Sequence, residues 1–172
     1  MTGKLLKGGE TMELATFAAG CFWGVEETFR HVDGVAKTAV GYTGGTLENP
    51  AYEDVCMGNT GHAEVVRLEF DPARVSYKQL LKIFFSLHDP TTLDRQGPDI
   101  GTQYRSAVFY HDQQQAVQAR ELKQQLTEQK VYQDPIVTEI TAATTFYLAE
   151  EYHQRYFEKH GMVGCSISSN KK

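Results

Sequence analysis

Gly20-Cys21-Phe22-Trp23-Gly24 sets a cysteine where an apolar stretch, residues 14–19, gives way to the helical pattern Val25-Glu26-Glu27-Thr28-Phe29. A strand followed by a helix leaves the sulfur at the helix N-terminus, beside unpaired N–H groups and the positive end of the dipole. A thiol in that field is expected to ionise more easily, and the thiolate is the nucleophile. Glu26 and Glu27 read as the acidic first turn of the same helix. The flanking glycines permit a tight turn, and Phe22 and Trp23 supply an aromatic wall beside the sulfur. The chemistry so indicated is attack by sulfur on an electrophile. A plainer reading makes Cys21 a small buried hydrophobe. A second takes Phe17-Ala18-Ala19-Gly20-Cys21 as a lipid-attachment site, but Glu10 and Glu13 stand where a basic segment belongs and the apolar run is too short.

Other residues have types suited to proton transfer or thiol exchange. In Glu64-Val65-Val66-Arg67-Leu68-Glu69-Phe70 the period of two puts Glu64 on the face of Val66, Leu68 and Phe70, so a carboxyl group points inward. Tyr52 and Tyr104 stand at loop ends, Asp99 lies in a Gly-Pro-Asp-Ile-Gly turn, and Cys165 sits on a glycine-containing tail. Each has a bland alternative: a salt-bridged acid, tyrosines capping the core, a turn aspartate, an idle surface thiol. Cys56, between Val55 and Met57, reads as a buried structural cysteine. The three cysteines lack close pairing with one another and no two histidines sit three or four apart, so neither a disulfide scaffold nor a metal site is expected.

The elements that position these residues follow from periodicity. Residues 1–13 form a polar surface lead, residues 35–42 a strand, and residues 43–61 an irregular segment rich in Gly and Asn. Ser76 caps a helix whose Tyr77, Leu80, Leu81, Phe84 and Phe85 make an inward stripe. A long loop from His88 to Thr102 precedes a strand at 104–110, a helix at 112–128, a strand at 136–140 and a last helix at 145–159. Residues 161–172 are a polar tail carrying Cys165. Strands and helices at short intervals predict an α+β two-layer sandwich, a ferredoxin-like mixed sheet covered by helices with long irregular loops. The 172 residues make a single domain, and a net charge of −5 argues against nucleic acid or an anionic membrane as partner. The lack of a ~20-residue apolar run argues against a membrane span, and unpaired cysteines suggest the reducing cytoplasm.

Three segments together resemble the signature of the A-class peptide methionine sulfoxide reductases: Gly20 to Gly24, then Gly61-His62-Ala63-Glu64, then Gly97-Pro98-Asp99-Ile100-Gly101-Thr102-Gln103-Tyr104-Arg105-Ser106. The resemblance runs in order from about Phe17 to Cys165. It implies that Cys21 attacks a sulfoxide sulfur and that Glu64, kept neutral by its apolar neighbours, protonates the departing oxygen. It also implies that Tyr52 and Tyr104 donate hydrogen bonds to that oxygen, with Phe22 and Trp23 forming the slot for the methyl group of the S epimer. Asp99 is expected to accept from the methionine N–H, and His62 to orient the loop that carries Glu64. The resulting sulfenic acid on Cys21 is expected to form a disulfide with Cys165, reopened by thioredoxin, with no cofactor and a monomeric enzyme. Some members carry a further cysteine in a longer C-terminal extension; here Ser166 to Lys172 has none, so a two-thiol relay is expected.

Two rivals lie outside that family. A cysteine hydrolase would activate Cys21 through His62 or His153, and a binding module would use Phe22, Trp23 and Tyr52 as an aromatic cage for a methylated ammonium.

Overall fold

Along residues 11–19 Ala15, Phe17 and Ala19 turn toward one face and Ala18 toward the other, and all four are buried, so the strand they form lies inside a covered sheet. The computed structural model describes residues 4–5 and 11–161. In chain order these give β1 (Lys4–Leu5), β2 (Thr11–Ala19), α1 (Phe22–Arg30), β3 (Val35–Thr43), α2 (Tyr52–Cys56), β4 (Ala63–Phe70) and α3 (Tyr77–Leu87). There follow the small hairpin β5 (Arg95–Gln96) and β6 (Asp99–Ile100), a 3-10 turn (Thr102–Tyr104), β7 (Ser106–Tyr110) and α4 (Gln113–Glu128). The last described elements are β8 (Glu139–Ala142), β9 (Tyr147–Leu148), a second 3-10 turn (Glu151–His153) and α5 (Tyr156–Lys159).

The main sheet runs β8-β7-β2-β4-β3-β9, with β1 paired to β2; β7 and β8 are parallel and the other pairs antiparallel. Helices cover one face. Phe17 stacks between Phe29 of α1 and Phe84 of α3 at ring separations of 5.3 and 5.1 Å, with Leu68 and Phe70 of β4 in the same cluster. Burying each such side chain contributes on the order of 2 kcal/mol. The opposite face carries a smaller cluster, Ala18, Ala63, Val65, Ala107 and Phe109, against Phe146. The architecture is therefore the expected α+β mixed sheet with helices. Local signals place the helix starts: Ser76 and Gln79 bond each other's backbone N–H at 3.1 and 2.8 Å, and Asp112 accepts from Gln115 N at 2.8 Å.

Several boundaries differ from the sequence reading. Residues 11–13 open β2 rather than a surface lead, and Met12 is buried. The segment 43–61 holds the short helix α2. The strand read at 104–110 begins at Ser106, because Tyr104 closes a 3-10 turn instead. The strand read at 136–140 lies at Glu139–Ala142, in register with β7. The long helix read at 145–159 does not form. Tyr147 and Leu148 pair with Tyr42 and Gly41, and the Gln154 side chain bonds both the N–H and the carbonyl of Val40 at 2.9 Å. Arg155 then takes φ +50°, held by the Glu26 carboxyl accepting from its N–H at 2.6 Å. Edge pairing and these side-chain bonds to backbone outweigh helix propensity. Among the described residues no helix is long and apolar enough to cross a membrane. Cys165 and the tail lie outside the described residues.

Candidate active site

β2 ends where β4 begins. Phe17 pairs with Val66, and carrying that antiparallel register two residues further sets Ala19 level with Glu64. The chain then turns at Gly20, at φ +91°, and Cys21 becomes the N-cap residue of α1. A side chain at position 20 would be strained by that φ, and its Cβ would meet Gln96 Cβ and Cγ at 2.8 Å. Gln96 in turn holds both the N–H and the carbonyl of Asp89, at 3.0 and 2.8 Å, and pairs with Asp99. Gly20→Ala is therefore expected to destabilise the protein by about 1–3 kcal/mol, read as a lower Tm, and to displace the Asp99 hairpin.

The electrostatics of Cys21 reverse the expectation from its position. The half-buried thiol is pushed up to about 12, first by burial and then by the Glu64 carboxyl, with Asp99 adding to the rise. Backbone N–H groups of Trp23 and Gly24 pull the other way and do not compensate. The expected acidic first turn is also absent: Glu26 and Glu27 fall beyond it, and Glu26 bonds Thr38 Oγ1 at 2.8 Å and the Arg155 N–H. Desolvation of the anion outweighs the helix terminus here.

Glu64 is 2% exposed. Its Oε1 accepts from the Phe22 N–H at 3.3 Å, one residue from the sulfur, while Oε2 is buried without a hydrogen-bond partner among the described residues. Burial, with a smaller contribution from Asp99, raises its pKa to about 8 against the opposing Phe22 bond. The carboxyl is thus neutral near pH 7, and since Oε1 accepts, the proton belongs on Oε2, the oxygen that is free.

Tyr52 and Tyr104 are half-buried, and burial first, then the field of nearby acids and thiols, holds both phenols above their ordinary value, Tyr104 at about 12. Both stay protonated donors. Cys56 corrects the reading of a buried thiol: it is exposed, at the end of α2, and helps to hold the Tyr52 phenol above its ordinary value. Asp99 reaches the site through its charge, felt by Cys21, Glu64 and Tyr104. His62 is buried and shapes the approach: Nδ1 accepts from the Gly45 N–H at 3.0 Å and Nε2 donates to the Leu47 carbonyl at 2.7 Å, fixing residues 45–47 beside the start of β4.

Sequence reasoning missed a cluster from the end of the chain. Phe22 is buried against Tyr42 and His153, at 5.8 and 5.2 Å, and the Trp23 indole N–H donates to His153 Nδ1 at 2.9 Å. Tyr156 stacks on the Trp23 ring at 3.8 Å and 5°. The Glu150 carboxyl accepts from the Tyr42 hydroxyl at 3.2 Å and from the Tyr52 N–H at 3.2 Å. Their signal was the aromatic and histidine run Glu150-Glu151-Tyr152-His153-Gln154-Arg155-Tyr156, which a helical reading spread around a cylinder.

Both rivals lose their residues. His62 spends both ring nitrogens on backbone, and His153 accepts from Trp23 with Nδ1, the one lone-pair nitrogen of its neutral ring, so neither offers Cys21 a hydrolase base. The Trp23 face that a cage would present is covered by Tyr156. No group of three or more His, Cys, Asp or Glu side chains among the described residues is placed to hold a metal ion.

Residues 13–172 match the family model described as "Peptide methionine sulfoxide reductase". A peptide methionine sulfoxide reductase from Methanothermobacter thermautotrophicus is 61% identical over 155 residues, covering 90% of this chain and 92% of the relative. The crystal structure of reduced Mxr1 from Saccharomyces cerevisiae superposes with a TM-score of 0.83 at 35% identity, covering 94% and 92% of the two chains. Mxr1 in complex with Trx2 gives a TM-score of 0.60 at 25% identity, covering 91% and 89%. A match over nearly the whole length, in sequence and in fold, is accompanied by a buried acid beside Cys21, and the chain belongs to the peptide methionine sulfoxide reductase family.

Proposed function

We propose that the enzyme reduces the S epimer of methionine sulfoxide, free or in polypeptides, with Cys21 as nucleophile and Glu64 as proton donor. The observation that carries the assignment is the Glu64 carboxyl: 2% exposed, with Oε1 bonded to the Phe22 N–H next to Cys21 and Oε2 buried without a hydrogen-bond partner among the described residues. A sulfoxide offers an electrophilic sulfur and a basic oxygen, which suits a thiol and a neutral acid in one pocket. Because burial keeps the free thiol protonated, it gives up its proton only as attack begins in the complex, to the Glu64 carboxyl as that group releases its own proton to the sulfoxide oxygen. Cys21 sulfur bonds to the substrate sulfur, Glu64 delivers its proton to oxygen, and Tyr52 and Tyr104 share that oxygen's negative charge. The hydroxyl then passes from the substrate sulfur to the Cys21 sulfur as the S–S bond breaks, its electron pair leaving with methionine, so that Cys21, oxidised by two electrons, carries the oxygen as a sulfenic acid. Phe22 and Trp23 form the methyl slot, Asp99 accepts the substrate N–H, and His62 supports the loop at 45–47.

The sulfenic acid then condenses with the Cys165 thiol, releasing water and leaving a disulfide that a dithiol reductant of the thioredoxin kind reopens. The relative Mxr1 has been seen with Trx2, which supports that choice of reductant. A single domain acting as a monomer supplies every group, with the tail at 161–172 bringing the second thiol, and repeated thiol recycling suits the cytoplasm.

Reduced wild-type enzyme and Cys165→Ser, mixed without reductant with each sulfoxide epimer, test this by mass spectrometry. The S epimer is expected to yield one methionine per chain in both, with a Cys21–Cys165 disulfide in the wild type and a dimedone-trapped sulfenic acid on Cys21 in the variant. Thioredoxin-coupled turnover is expected only in the wild type. No methionine from either epimer overturns the activity; a Cys21–Cys56 disulfide reassigns the resolving thiol.

A further inference from the structure

We propose that His153, as its Nε2–H tautomer, is the positioning residue that fixes the Trp23 wall of the methyl slot, with Glu150 holding the groups around it. The inference rests on the methyl-slot reading of Trp23 and deepens it.

An indole N–H can only donate, so the 2.9 Å contact from Trp23 Nε1 makes His153 Nδ1 an acceptor. The neutral ring must then carry its proton on Nε2. Among the described residues that nitrogen is buried without a hydrogen-bond partner, and it stands 3.9 Å from Glu150 Oε2, beyond bonding range. The ring itself is wholly buried and wedged among aromatics from three elements: Phe22 and Trp23 of α1, Tyr52 of α2 at 4.6 Å, and Tyr152 of its own 3-10 turn at 4.0 Å. Glu150 binds the Tyr42 hydroxyl of β3, the Tyr52 N–H of α2 and the Tyr152 hydroxyl. One imidazole and one carboxyl from the segment before α5 therefore tie together the start of α1, the start of α2 and the end of β3. These are the places from which Phe22, Trp23 and Tyr52 reach the substrate.

The bond has a built-in release. A proton on Nδ1 removes the acceptor, so an imidazolium cannot hold the indole. The charged groups facing the ring are Glu150 and, from α2, Glu53, which favour the imidazolium; burial opposes them and keeps the ring neutral below the ordinary histidine range. The aromatic rings packed on it among the described residues, Phe22, Trp23, Tyr52 and Tyr152, are uncharged near neutral pH.

Trp23 is the one tryptophan in the sequence, so its emission reports this contact directly. The titration is run in a His160→Gln background, because His160 stacks on Tyr156, the ring that covers Trp23. Emission is expected to change with a single midpoint below about 6.5 when His153 is present, and to be flat over the same range in His153→Gln. His153→Leu, which keeps bulk and loses the acceptor, is expected to raise KM for a peptide sulfoxide about tenfold, a typical cost for a misfitted apolar pocket. Its single-turnover rate at saturation is expected to stay within about twofold. His153→Gln, whose amide oxygen can accept from the indole, is expected to restore KM. An emission that does not titrate, a KM unchanged in His153→Leu, or equal losses in the Leu and Gln variants would each overturn the proposal. The emission arm needs no turnover, so a failure of the proposed activity leaves it readable.

Discussion

Replacing Cys21 by serine is expected to reduce sulfoxide reduction by roughly 10⁴-fold or more, to the uncatalysed background. The hydroxyl is a far weaker nucleophile toward sulfur, and an oxygen at that position cannot take up the sulfoxide oxygen as a sulfenic acid. The measurement is methionine formed per chain in a single turnover, which removes recycling from the result; retention of more than a few per cent of the wild-type rate would move the nucleophile elsewhere. Cys56 is not expected to substitute, since it lies exposed at the end of α2, away from the Glu64 carboxyl that donates the proton. The free enzyme should also show an inverted order of labelling. At pH 7 iodoacetamide should modify exposed Cys56 well before Cys21, whose thiol is held at about 12 by burial and the Glu64 carboxyl.

Glu64→Gln is expected to lower the rate of the chemical step by about 10²–10³-fold while leaving the fold intact. Three opposite signs make the prediction specific. First, wild-type reduction should fall above about pH 8, as the raised acid ionises and the donor is lost, and that limb should vanish in the Gln variant. Second, alkylation of Cys21 above pH 8 should be faster in the variant, because the carboxylate that pushes the thiol up is gone. Third, the variant should be the more stable protein at pH 8. A carboxyl whose folded pKa is raised contributes stability below its unfolded value, near 4.5, and loses it as pH rises through about 8; the amide loses nothing over that window. A Gln variant that is slower to react, slower to alkylate and less stable would mean Glu64 is a structural acid rather than the donor.

How much of this was legible depended on whether a signal was local. Glu64 was readable because β4 is a regular strand, and parity alone puts residue 64 on the face of Leu68 and Phe70. Ser76 with Gln79 and the apolar stripe of α3 were equally plain, since caps and periodicity act within a turn or two. The site's sequence motifs sit on those same local features: a glycine turn, a strand start, a hairpin.

Other parts had no local cause. The last third of the chain carries helix-forming residues, yet residues 147–148 join the sheet edge and Gln154 bonds the backbone of Val40, 114 positions away. Only the finished sheet offers that backbone. Cys56 looked buried by its neighbours and lies exposed because α2 is a five-residue helix with Val55 alone turned inward.

The sequence by itself determined which chemistry is available: one cysteine after a strand, one acid inside a strand face, tyrosines and an aspartate in loops, in the order of a known family. The tertiary structure decided their electrical state and their support. The thiol is harder to ionise than its helix terminus suggests, and the acid stays protonated, because desolvation depends on every group packed around a site rather than on the residues beside it in the chain. The Glu150 and His153 clasp on the aromatic wall exists for the same reason, since it is formed by segments about 100 to 130 residues apart that meet only when the sheet is complete.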